Sequence, residues 1–161
     1  MKKFKLLNIM VLCMVSISFF FGCSNNSKSY IYKDDKKIVS EVDSFNIRNA
    51  KHVNDKEGYD GELYFEGMDT IWAIDSNEDS DIEISYLLSV SKGKAKLVLI
   101  KPNGELETIV ESDKEMKEDS NIETTISVKK GKNRIKLVGK DDARIHLKFK
   151  AEDGEFFGVG F

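Results

Sequence analysis

The amino-acid sequence predicts an all-β chain, an antiparallel β-sandwich of jelly-roll type, on three observations. From Asp81 to Val90 the residues keep a period of two, with Ile82, Ile84, Tyr86, Leu88 and Val90 on one face and Asp81, Glu83, Ser85 and Ser89 on the other. Short apolar runs recur downstream, separated by turn residues such as Lys101-Pro102-Asn103-Gly104 and Lys129-Lys130-Gly131-Lys132-Asn133. No long stretch repeats its apolar residues every 3.6 positions, so no amphipathic helix competes with strands.

The chain opens with a different pattern. Lys2, Lys3 and Lys5 precede an apolar run from Ile9 to Phe21, the charge order and length of a secretory signal peptide. A membrane-spanning helix needs about 20 apolar residues, more than this run supplies. The run ends in Phe20-Phe21-Gly22-Cys23, which resembles the lipobox of bacterial lipoproteins, where a small residue precedes an obligatory cysteine. Phe20 stands where leucine is customary, and Phe21 is bulkier than usual. The resemblance implies cleavage after Gly22, a lipid on Cys23 and a palmitate-type membrane anchor on the extracytoplasmic face. Residues 1–22 are then the signal peptide, 23–44 a tether that includes the polar Ser24 to Ser29, and 45–161 the sandwich. Tyr30 to Val42 mixes charged residues with Ile31, Ile38 and Val39, which suits a short helix or a piece of stalk.

Removing residues 1–22 takes three of the 25 basic residues and none of the 28 acidic ones, leaving 22 against 28 and a formal charge of −6. A dispersed acidic excess argues against nucleic acid as partner, because phosphate binding needs a basic stripe. Cys13 leaves with the signal and Cys23 takes lipid, so the exported part has neither thiol nor disulfide. Lysine heavily outnumbers arginine, found only at 48, 134 and 144, a bias that suits an AT-rich genome.

Leu63 to Phe65 and Thr70 to Ile74 are expected as strands divided by Gly67. Ala95 to Ile100, apolar almost throughout, reads as a central strand, with Leu106 to Val110 returning after the Pro-Asn-Gly turn. Ile122 to Val128 and the strand of Ile135 and Leu137 are expected as a hairpin about Lys129 to Asn133. Ile145, Leu147 and Phe149 alternate with Arg144, His146, Lys148 and Lys150, a strand with a basic outer face. Phe156 to Phe161 is expected to add an edge strand or a contact surface. Seven to nine short strands result, with Ile82, Ile84, Leu88, Leu97, Leu99, Ile126, Ile135, Leu137 and Leu147 as core.

The segments Asp69 to Trp72, Lys92 to Ile100 and Val128 to Gly139 make the chain similar to small lipoproteins of low-GC Gram-positive bacteria. Over residues 80–150 the order of strands and turns also resembles the sandwiches of galactose-binding-like and pre-peptidase C-terminal domains. That resemblance implies a fold and assigns no catalytic residue.

Chemistry-bearing residues are few. The mature chain holds two histidines, His52 and His146, in no catalytic motif, and has no nucleophile elbow, phosphate loop or dinucleotide fingerprint, so no cofactor and no enzyme activity are expected. Asp75, Asn77, Asp79, Asp81 and Glu83 place oxygen ligands at alternate positions, as calcium loops do, but Ser80 occupies the place of the loop glycine and Tyr86 that of the bidentate glutamate. A solvated acidic turn is the more ordinary explanation of such a run. Trp72, Tyr64 and Tyr59 could present an aromatic platform to sugar rings, whereas a large aromatic in a small β-domain is ordinarily core. The expected function is a lipid-anchored binding or structural module facing cell-wall glycan or an envelope protein. The alternatives are a displayed carbohydrate-binding module and an envelope hydrolase using Asp60, Glu62 and Asp75.

Overall fold

The structure is a computed structural model describing residues 27–55, 58–114 and 120–160, so Cys23 and residues 1–22, expected as a signal peptide, lie outside the described residues. A 3-10 helix at Ser29–Lys33 and a single-turn helix α1 at Asp35–Ile38 precede strands β1 (Ser44–Asp55), β2 (Gly58–Ser76), β3 (Ser80–Ile100), β4 (Leu106–Asp113), β5 (Ile122–Val128), β6 (Gly131–Ala151) and β7 (Glu155–Phe156). All pairings are antiparallel, and the hydrogen-bonded path runs β1-β2-β6-β3-β4, with β5 on β3 and β7 on β2.

This sheet folds over on itself because its three long strands bend together. Register shifts fall between Phe65 and Gly67 on β2, Val90 and Lys94 on β3, and Arg48 and Lys51 on β1. Opposite them, β6 carries surplus residues: Phe65 pairs with Ala143 but Gly67 pairs with Gly139. Asp141 and Asp142 occupy the surplus positions with φ of 60° and 52°, and Asn49 has φ of 51°, all left-handed values that Asp and Asn tolerate better than other side-chain-bearing residues. Gly67 and Gly93 complete the line at φ of 109° and 73°, where a Cβ would stand 2.2 Å from the Ser44 carbonyl oxygen and 2.4 Å from that of Lys140. Bulges and glycine kinks are how a twisted sheet turns a corner.

Two layers follow. The first contains β1, residues 58–65 of β2, 143–151 of β6, 80–92 of β3, and β5; the second contains the remaining halves of β2, β6 and β3, with β4 and β7. One apolar cluster lies between them, built on Phe65, Trp72, Leu88, Leu97, Leu137 and Leu147. All nine residues expected in the core are buried, none above 5% exposure. The fold is all-β, as the period-two pattern requires.

Three local expectations need correction. The pieces at 63–65 and 70–74, at 82–90 and 95–100, and at 135–137 and 145–149 are halves of β2, β3 and β6, each continuous through the bend. Residues 129–133 do not close a hairpin, since β5 pairs with β3 on the edge opposite to β6 and the chain crosses there between layers. Side chains hold the crossing: Asn133 accepts from Lys129 N at 3.0 Å and donates to the Lys129 and Gly131 carbonyls at 2.6 and 2.8 Å. Asp79 accepts from Lys130 N at 2.9 Å and from Lys129 Nζ at 2.8 Å.

Residues 29–43, expected within the tether, are instead docked as a cap. Ile31, Tyr32 and Ile38 are buried against Met68, Val98, Ile100 and Val138 on the outer face of the second layer. This explains the continuous apolar run at 95–100: Leu97 and Leu99 face the core, and Val98 and Ile100 face the cap. Asp34 closes α1 by accepting from Lys37 N at 3.2 Å. Of the segment expected to add an edge strand, only Phe156 lies in one, the two-residue β7, opposite Trp72; Val159 is buried beyond it.

Candidate binding face

The two outer surfaces of the sandwich differ. The cap closes the second layer, and behind α1 it is fastened by charge: Arg134 donates to the Val39 and Ser40 carbonyls at 2.9 and 3.0 Å, and Lys136 Nζ to Ser40 O at 2.7 Å and Asp43 at 2.8 Å. Lys136 is fully buried, and desolvation pulls its pKa below the ordinary lysine value even though Asp43 supports the charge. Arg134 and Lys136 alternate with the core residues Ile135 and Leu137 and so face outward, but alternation cannot show that the outward face is covered. The signal was present in Met68, Val98, Ile100 and Val138, apolar residues on that same face.

Among the described residues, no cap of this kind covers the outer face of the first layer. Here β6 presents Arg144, His146, Lys148 and Lys150 in alternation with buried Ala143, Ile145, Leu147 and Phe149. Register sets Asp60 against Lys148 and Glu62 against His146 on one side, and Ser85, Leu87 and Ser89 against Lys150, Lys148 and His146 on the other. Asp60 contacts His146 Nε2 and Lys148 Nζ, each at 3.0 Å. Partial desolvation works against the Asp60 charge, but hydrogen bonds from Lys148 and His146 outweigh it and hold the carboxyl below its usual value. The arrangement is an open, mixed-charge surface. An open hollow of about 660 Å³, lined by Glu83, Ser85, Glu123, Thr125, Lys150 and Glu152, lies where β5 and the end of β6 flank β3. No protein-family model matches the chain, and neither does any curated protein.

The residues expected to carry chemistry are not brought together. Trp72 is fully buried, its indole N–H donating to the Asp153 carbonyl at 2.8 Å, and Tyr59 is only 3% exposed, so the aromatic platform of Trp72, Tyr64 and Tyr59 does not exist. Burial, and then the nearby Asp69 and Asp60 charges, push the Tyr59 hydroxyl up to about 12. Tyr64 alone is half-exposed, with the Arg48 and Arg144 guanidiniums 4.9 and 5.9 Å from its ring centroid. In the acidic run, Asp79 is engaged with residues 129 and 130, and Asp81 accepts from Ser127 at 2.7 Å. Among the described residues no group of three or more His, Cys, Asp or Glu converges as a metal site. Asp60 and Glu62 share the open face, whereas Asp75 lies in the second layer opposite Lys132, so the three carboxylates are not brought together.

Asp69 on β2 is a buried carboxyl outside this face. Asp69 is 3% exposed, accepts from Gly160 N at 2.7 Å, and has its pKa raised to about 6, first by burial and then by Asp43. An unfolded aspartate ionises near 3.9. Between these values the unfolded chain loses a proton that the folded chain keeps, so stability falls as pH rises and the full cost is reached above about pH 6. Asp69→Asn keeps an acceptor for Gly160 without the charge. It is expected to be more stable than wild type at pH 7, by about 1 to 3 kcal/mol at about 1.4 kcal/mol per unit, with the difference vanishing toward pH 4. Urea midpoints measured across that range check it; a wild type more stable at pH 7 would contradict the assignment.

Proposed function

We propose that the mature chain is a lipid-anchored extracytoplasmic module that binds rather than catalyses, and that its binding surface is the open face of the first layer. The observation that carries this reading is the contrast between the two sheet faces. One is sealed by the cap, while the other, uncapped among the described residues, displays the β6 column beside Ser85 and Ser89. Open surfaces of mixed charge suit an extended partner better than a small substrate, which needs a concave, largely apolar site. The basic column favours cell-wall glycan carrying anionic groups.

The test is cosedimentation of residues 24–161 with purified wall sacculi. Wild type is expected to pellet with the walls at low salt and to be released as salt rises. Lys148→Glu combined with Lys150→Glu should lower the bound fraction several-fold while leaving the unfolding transition nearly unchanged, because the exposed Lys148–Asp60 pair adds little stability. Equal binding by the variant, or none by wild type, rejects the face.

A further inference from the structure

The cap starts at the bend. Ser27 Oγ donates to Glu66 Oε1 at 2.8 Å, Ser29 Oγ donates to the same oxygen at 2.5 Å, and Asp141 N donates to Ser29 Oγ at 2.8 Å. Desolvation opposes the Glu66 charge, yet the hydrogen bonds from Ser29 and Ser27 outweigh it and hold the carboxyl below its ordinary value. Glu66 and Asp141 both sit on the line where the sheet folds over, together with Asn49, Gly93 and Asp142. The chain therefore enters the domain at its folded edge. The opposite end carries the layer crossings at 77–79 and 129–130 and the turn at 101–105.

Only four residue steps separate Ser27 from Cys23. Fully extended, they span at most about 14 Å. From Gly93 to Ser80 the strand β3 covers roughly 40 Å at about 3.3 Å per residue. A leash that short cannot turn the domain end over end above an anchored cysteine.

Resting on the lipoprotein reading, we propose that the folded edge is a membrane-facing surface seated on the headgroups of the bilayer that holds Cys23, with the crossing loops pointing away. The edge offers cations for anionic headgroups. Arg48 and Lys92 share Asp142, and among the described residues Lys28 and Lys51 belong to no ion pair. A lysine near an anionic surface contributes about 1 kcal/mol. The far end also carries lysines, at 129, 130 and 132, beside Asp75, Glu78 and Asp79, so charge orients the domain weakly and the leash sets the orientation. The open face then stands upright, clear of the bilayer and reachable from the wall.

The experiment uses the acylated protein in vesicles of phosphatidylglycerol and phosphatidylcholine. Because the exported part has no other thiol, Lys51→Cys at the edge and Lys130→Cys at the far end can each carry one fluorophore; both positions are exposed. With a nitroxide on the lipid headgroup, the probe at 51 should be strongly quenched and that at 130 hardly at all. Equal quenching, or the reverse order, overturns the orientation. Inserting a flexible Gly/Ser linker of about 20 residues between Asn26 and Ser27 should largely abolish quenching at 51. If quenching persists unchanged, the leash is not its cause. Mass spectrometry of the purified protein separates the two failures: no diacylglycerol on Cys23 removes the anchor itself, whereas an acylated protein with equal quenching removes only the orientation.

Discussion

Trp72→Ala is expected to destabilise the domain by about 3 to 5 kcal/mol, the cost of removing a large buried aromatic and leaving its cavity. Total stabilities of domains are about 5 to 15 kcal/mol, so this change removes a large fraction. The side chain is fully buried on β2 opposite Ile135 on one side and Phe156 on the other. Its indole N–H holds Asp153, and Gly154 approaches so closely that a Cβ there would lie 2.3 Å from Nε1. The ring thus fastens the last turn and β7 as well as filling the core. Trp72→Phe isolates the second role: it keeps most of the volume but removes the donor to the carbonyl of the exposed Asp153, at about 0.5 to 1.5 kcal/mol. Urea denaturation followed by far-ultraviolet circular dichroism measures both. A loss under about 1 kcal/mol for the alanine variant would place Trp72 outside the core.

The same residue shows where sequence reasoning stops. Period two identifies strands and inward residues because successive side chains point to opposite faces, and this recovers Ile82, Ile84, Leu88, Leu97, Leu99, Ile126, Ile135, Leu137 and Leu147 as buried. It does not say whether two strands joined by a glycine are separate or one strand bent, because Gly67 and Gly93 carry the same local signal as turns. The bend becomes visible only when Asp141 and Asp142, on a distant strand, take left-handed conformations opposite them. Outward faces are ambiguous in the same way. Lys136 and Lys148 occupy equivalent alternating positions on β6, yet the first is fully buried by the cap and the second stands on the open face. The cover comes from residues over 90 positions away, Val39 and Ser40, whose carbonyls satisfy Arg134 and Lys136. No local window contains both. Trp72 could be weighed as platform or plug from sequence, and only the fold decides between them.

The docked cap also sharpens the consequence of losing the anchor. Cys23→Ala is expected to abolish lipid attachment and to shift the protein from the membrane fraction to unlipidated precursor or released material. A diacylglycerol is sufficient as an anchor, since each buried CH₂ contributes about 0.8 kcal/mol and two acyl chains hold where one of myristoyl length binds only marginally. Residues 23–161 carry a net negative charge, and no helix among the described residues is long and apolar enough to cross a membrane. Lys28 and Lys51 at the folded edge add on the order of 1 kcal/mol each, too little to retain the domain alone. The fold should survive, because the described contacts begin at Ser27 and none depends on Cys23. Metabolic labelling with a clickable fatty acid, compared between wild type and variant alongside circular dichroism of the released protein, measures both halves. Wild type that takes up no label and begins elsewhere than Cys23 would make this an ordinary secreted sandwich, and the open face would then have to find its partner without confinement to the bilayer surface.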